Sequence, residues 1–121
     1  MIVNNTEILQ VVREIDVEYN KITATHFAVL YSKLAVIEFC GWIEKTLDEI
    51  IKEYINNKLA LQENKNYIES NIIKQTHGFS YENHFRKMFV NTIGIKNFEN
   101  LEDDLEPNNA SLTQLKAILA L

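Results

Sequence analysis

An all-α fold, a bundle of about five helices around one long central helix, is predicted by three features of this sequence. Three glycines and one proline in 121 residues are too few for the many turns of an all-β protein. No proline precedes residue 107, and a helical pattern runs with little interruption over residues 25–57. Apolar residues elsewhere recur at alternating spacings of three and four, the period of a helix face. With 46% hydrophobic and 24% charged residues the chain has the composition of an ordinary globular protein. Its length suits a single helical domain, residues 1–121, that buries a core without metal or disulfide support.

The first helix is expected over residues 5–20. Asn4 with Glu7 three positions later forms a start signal, and Ile8, Val12, Ile15 and Tyr19 then share one face. Thr23 and Thr25 supply capping hydroxyls for the long second helix. Its second half is amphipathic, with Leu47, Ile50, Ile51, Tyr54 and Ile55 on one side and Asp48, Glu49, Lys52 and Glu53 on the other. Its first half, residues 27–43, is apolar nearly all round the axis. Such a half-helix is expected to be buried on more than one side, either as the hub of the monomer core or by a second subunit. Gly41 costs about 1 kcal/mol relative to Ala inside a helix. Close approach of another backbone would offset that cost and points to a dimer.

A third helix carries Ile68, Ile72 and Ile73 over residues 64–76 and is closed by Gly78. Ser80 is an N-cap for a fourth, whose Tyr81, Phe85, Met88, Phe89 and Thr92 line one face, and Gly94 suits its left-handed C-terminal position. Residues 97–105 are expected to add a short helical turn. The segment 106–109 is the clearest break in the chain, and Ser111 with Gln114 opens a fifth helix as a capping box. That helix is still strongly apolar at Leu121, so the native sequence is expected to continue.

The excess of 17 acidic over 12 basic residues gives a net charge of −5, which repels polyanions and argues against DNA or non-specific RNA as partners. The only loose basic cluster is Lys74, Arg86, Lys87 and Lys96, a pattern that ordinary solvated lysines also produce. One cysteine, Cys40, excludes an intrachain disulfide and any paired-cysteine metal motif. A cytoplasmic location fits this usage. No apolar run approaches the roughly 18 residues of a membrane span, and the N-terminus lacks a signal-peptide pattern, so no membrane association is expected.

Candidate chemistry is sparse. His26, His77 and His84 are not spaced as helical metal ligands, and each has a plain structural role as a first-turn, helix-end or helix-face residue. Glu102, Asp103, Asp104 and Glu106 form an acidic run without the spacing or glycine of a calcium loop and read as a solvated connector. Cys40 has no basic neighbour to activate it and reads as a small core hydrophobe. Neither a phosphate-binding glycine loop nor a hydrolase or zinc-protease motif is present. No cofactor and no metal are implied.

The segments LYSKLAVIEFCGWIEKTLDEIIKEY, residues 30–54, and NIIKQTHGFSYENHFRKMFVNTIG, residues 71–94, resemble the HEPN superfamily, in particular its RiboL-PSP-HEPN group. The likeness covers roughly residues 25–121. It implies a helical bundle that dimerises, here through the long helix. It also implies a metal-independent endoribonuclease of toxin, phage-defence or RNA-processing systems, with RNA as a partner. In that family an Arg, followed by a His four to six residues later, steadies the phosphate and assists attack by the ribose 2′-hydroxyl. An acidic residue on the long helix completes the site, and its match here is Glu44, with Glu38 second; both are also ordinary polar positions of a helix. The chain departs from the family at the decisive point. Its only arginines are Arg13 and Arg86, and neither has a His at that spacing. Two accounts of that departure stand: a fragment cut before the motif and inactive as it stands, which the unfinished fifth helix favours, or a member that never had it. The alternative is a non-catalytic dimerisation or interaction domain.

Overall fold

The computed structural model describes residues 3–105 and 111–120, and among these every regular element is helical. Six α-helices follow in order: α1 (Thr6–Asn20), α2 (Thr25–Lys58), α3 (Gln62–Ile68), α4 (Arg86–Ile93), α5 (Ile95–Leu105) and α6 (Ser111–Ile118). Two π-helical turns, Glu69–Ile73 and Tyr81–Phe85, continue α3 and precede α4. In each the backbone bond reaches back five residues, from Lys74 N–H to the Glu69 carbonyl (3.0 Å) and from Phe85 N–H to the Ser80 carbonyl (2.9 Å). The residues group into two compact units, Met1–Thr46 and Leu47–Leu121, with the division falling inside α2.

Local signals account for most of these boundaries. At the start of α1 the Asn4 carboxamide accepts the Thr6 N–H at 3.0 Å, satisfying one otherwise unpaired donor of the first turn. The stretch expected to form only a short turn at 97–105 is instead the 11-residue α5. Its face is long enough to bury Phe98, and burial of that ring holds the helix against its many polar residues. The segment 106–109, predicted as a break, lies outside the described residues.

In the unit Leu47–Leu121 the second half of α2 is amphipathic as its pattern requires, with Leu47, Ile51 and Ile55 buried. Ile73, Tyr81, Phe85, Met88, Phe98, Leu112 and Leu119 complete the core of the unit. The ring of Phe85 lies 4.6 Å from that of Phe89 and 6.2 Å from that of Phe98, while Tyr81 stacks on Phe85 at 5.3 Å. Arg86 and Lys116 place their cationic ends over the Phe98 and Tyr81 rings at 5.9 and 4.9 Å.

Two glycines have positive φ: Gly94 closes α4, whereas Gly78, expected to close the third helix, lies in the segment after Ile73, where that helix has already ended. Gly94, after α4, has φ 87° and ψ 156°, a region that side chains rarely enter, and its N–H bonds the Val90 carbonyl at 2.9 Å. Gly78 has φ 122°, and a Cβ added there would lie 2.6 Å from Cε1 of His84. That ring is held in place, because its Nδ1 accepts the Ser80 backbone N–H at 3.0 Å. Gly94→Ala is therefore expected to cost about 1–3 kcal/mol from backbone strain alone. Gly78→Ala should cost more, since the His84 ring must also leave its cap. Urea denaturation of the two variants checks the order, and equal or reversed costs would contradict this account.

Candidate association surface

Within the unit Met1–Thr46, α1 and α2 form an antiparallel hairpin. Ile8 and Val11 of α1 line the same cleft as Ile37, Gly41 and Trp42 of α2, and Val12, Ile15 and Tyr19 lie by Tyr31, Ser32 and Ala35. The Trp42 indole N–H donates to the Asn4 carbonyl at 3.2 Å, and Phe39 stacks on Trp42 at 5.8 Å, fixing the open end of the hairpin.

One neighbouring helix covers one side only. Residues 27–43 are thus not buried all round: Phe27 is 54% exposed, Leu30 45%, Leu34 41% and Ile37 66%. The expectation that this half-helix is the hub of the monomer core is corrected, because α1 supplies its only cover within the unit. Phe27, Leu30, Leu34, Ile37 and Gly41 stand at successive spacings of three, four, three and four, which aligns them in one stripe. Val29 and Val36 are exposed on another flank. Among the described residues, nothing beyond the helix's own neighbouring backbone lies within 4 Å of where a Gly41 Cβ would stand, so the close contact expected there is not made by them.

Beside the stripe lies a cleft of about 390 Å³ whose apolar lining includes Ile8, Val11, Ile37 and Trp42. Its charged lining consists of Glu7, Glu38 and Lys45. Glu38 and Lys33 are exposed, and among the described residues neither has an ion-pair partner. The expectation that no apolar run approaches a membrane span is corrected, because α2 is long and apolar enough by length and composition to cross one.

The residues singled out for chemistry are dispersed. Glu44 is half-buried and Glu38 exposed, and six positions on a helix turn them about 120° apart. His26 is exposed with its ring edge-on to Phe27 at 5.5 Å, and His77 is exposed. His84 serves the cap of Ser80, whose hydroxyl is 2.8 Å from Nδ1. Cys40 is half-buried with a free thiol. Among the basic cluster, Lys74, Lys87 and Lys96 are exposed, while Arg86 is engaged over Phe98. No group of three His, Cys, Asp or Glu able to hold a metal occurs among the described residues. Nor does any buried side-chain nitrogen or oxygen there lack a hydrogen-bond partner.

One polar contact escaped the sequence reading. Glu102, expected to be solvated, accepts a 2.6 Å hydrogen bond from the Tyr81 hydroxyl, 21 residues away. No local spacing signals such a pair. Compared with family models, curated proteins and solved structures, the chain finds no match in any of the three.

Burial first, and then the Glu102 carboxylate, push the Tyr81 phenol well above its ordinary pKa of 10.0. A folded-state pKa raised in this way contributes stability that is fully present below the unfolded value and is lost as pH rises past it. Stability is therefore expected to fall above about pH 10. Tyr81→Phe should remove that part of the pH dependence and cost about 1–2 kcal/mol near neutral pH. Denaturant midpoints between pH 7 and 11 test this, and an unchanged alkaline slope in the variant would contradict it.

Proposed function

We propose that the chain is a helical association domain that pairs with a second copy of itself through the first half of α2. The observation that carries this reading is the exposed stripe of Phe27, Leu30, Leu34 and Ile37, four large apolar side chains aligned on one helix. Aligned apolar exposure of this kind marks a contact surface, whereas scattered apolar residues need no explanation. Completing the burial of a half-exposed side chain of this size contributes roughly 1 kcal/mol, so eight of them in a dimer contribute roughly 8 kcal/mol. Lost translational and rotational freedom opposes this with a cost of about 4–15 kcal/mol. The dimer should therefore dissociate measurably on dilution.

Lys33 and Glu38 stand within the apolar half of α2, and charges at that depth are costly in lipid, so protein is the better cover. A cytoplasmic location belongs to the same reading. The HEPN resemblance supplies a setting in which the domain is the dimer scaffold of an RNA-processing or toxin ribonuclease. Cleavage by that chemistry needs an Arg to neutralise phosphate and a His to move a proton, and Glu38 and Glu44 can replace neither. In this chain neither Arg13 nor Arg86 is followed by a His at the family's spacing.

Sedimentation velocity over a concentration series should show a monomer–dimer equilibrium for the wild-type chain. Ile37→Glu should be monomeric with unchanged helical circular dichroism. A wild-type chain that stays monomeric at about 100 µM would overturn the association reading. The chain is also expected to leave RNA intact, and cleavage above a protein-free control would contradict that part of the account.

A further inference from the structure

The orientation of the pairing can be read from two charges. Written as a heptad abcdefg, Phe27, Leu34 and Gly41 take position a, and Leu30 and Ile37 take position d. Lys33 then falls at g of the first heptad and Glu38 at e of the next, five residues apart. In a parallel, in-register pair of helices, g of one copy lies beside the following e of the other, and opposite charges there form interhelical ion pairs. An antiparallel pair would instead bring g against g and e against e, setting lysine beside lysine and glutamate beside glutamate.

The surroundings of Glu38 agree with the first arrangement. Glu38 lines the cleft together with Glu7 of α1 and with Lys45, so two of its three charged lining residues are acidic and the balance favours an incoming ammonium. Glu38 and Lys33 are exposed and have no ion-pair partner among the described residues. Gly41, at position a, leaves the seam open there for the facing helix.

Resting on the association reading above, we infer that the second copy docks parallel and in register along α2, with Lys33 of each copy reaching Glu38 of the other at the edge of the α1–α2 cleft. Two such pairs form per dimer, related by the two-fold axis.

Charge reversal and cysteine pairing test this together. Lys33→Glu and Glu38→Lys should each raise the dimer Kd by about tenfold, because two attractive contacts become repulsive. The double variant should restore the wild-type value. Circular dichroism should be unchanged in all three, since both positions are exposed. In a Cys40→Ser background, Leu30→Cys and Ile37→Cys should each form a disulfide-linked dimer on mild oxidation. Positions seven apart lie about 10.5 Å from one another along a helix, so in an antiparallel two-fold pair at most one of them meets its own copy.

A wild-type dimer whose Kd is unmoved by either charge reversal, or in which only one cysteine variant cross-links, would overturn the parallel register and leave the association reading standing. A wild-type chain that is monomeric by sedimentation would overturn both readings. Flotation of that monomer with vesicles of phosphatidylcholine and phosphatidylglycerol would mark lipid as the occupant of the stripe.

Discussion

A helix apolar around most of its circumference has to be covered on every side from which a large side chain emerges, and one antiparallel neighbour covers only one. This constraint governs the first half of α2. Against α1 it buries the side of Ala35 and Trp42 and leaves Phe27, Leu30, Leu34 and Ile37 in contact with solvent. In the proposed dimer, relief of that exposure is the driving force for association. Gly41, with no neighbour from outside its own helix within 4 Å of a Cβ position among the described residues, would leave room for a second helix in the proposed dimer.

The unit Leu47–Leu121 meets the same constraint from within. The second half of α2 offers one apolar side, and that side buries Leu47, Ile51 and Ile55. The ring cluster of Tyr81, Phe85, Phe89 and Phe98 fills its centre, while Arg86 and Lys116 spend their charge on ring faces. Polar groups there are absorbed by structure: Glu102 by the Tyr81 hydroxyl, His84 by the Ser80 cap. Side chains so engaged are poor candidates for chemistry, which explains why the informative surface lies on the other unit.

Much of the fold was legible in the sequence because its signals are local. The Asn4 start, the run of α2 from Thr25, the helical start after Ser80 and the end of α4 at Gly94 each depend on residues within a turn of one another. The length of α5 was underestimated because Phe98 holds it through contacts with Tyr81 and Phe85, more than ten residues earlier. Composition called for cover of residues 27–43 by the monomer core or by a second subunit, since periodicity tells which side chains need cover and not which molecule provides it. Glu38 and Glu44 were found through a family likeness, and six positions on one helix turn them about 120° apart. Lys33, which the resemblance passed over, gains its meaning only once the exposed stripe is seen to be aligned beside it.

The central claim is that a second copy of the chain completes the cover of α2. Hydrogen exchange of the backbone amides of residues 30–41, followed over a concentration series, tests it most directly. Protection there should rise with protein concentration, while amides of Arg86–Ile93, next to the buried ring cluster, exchange at rates independent of it. Equal and concentration-independent protection of both segments would contradict the account.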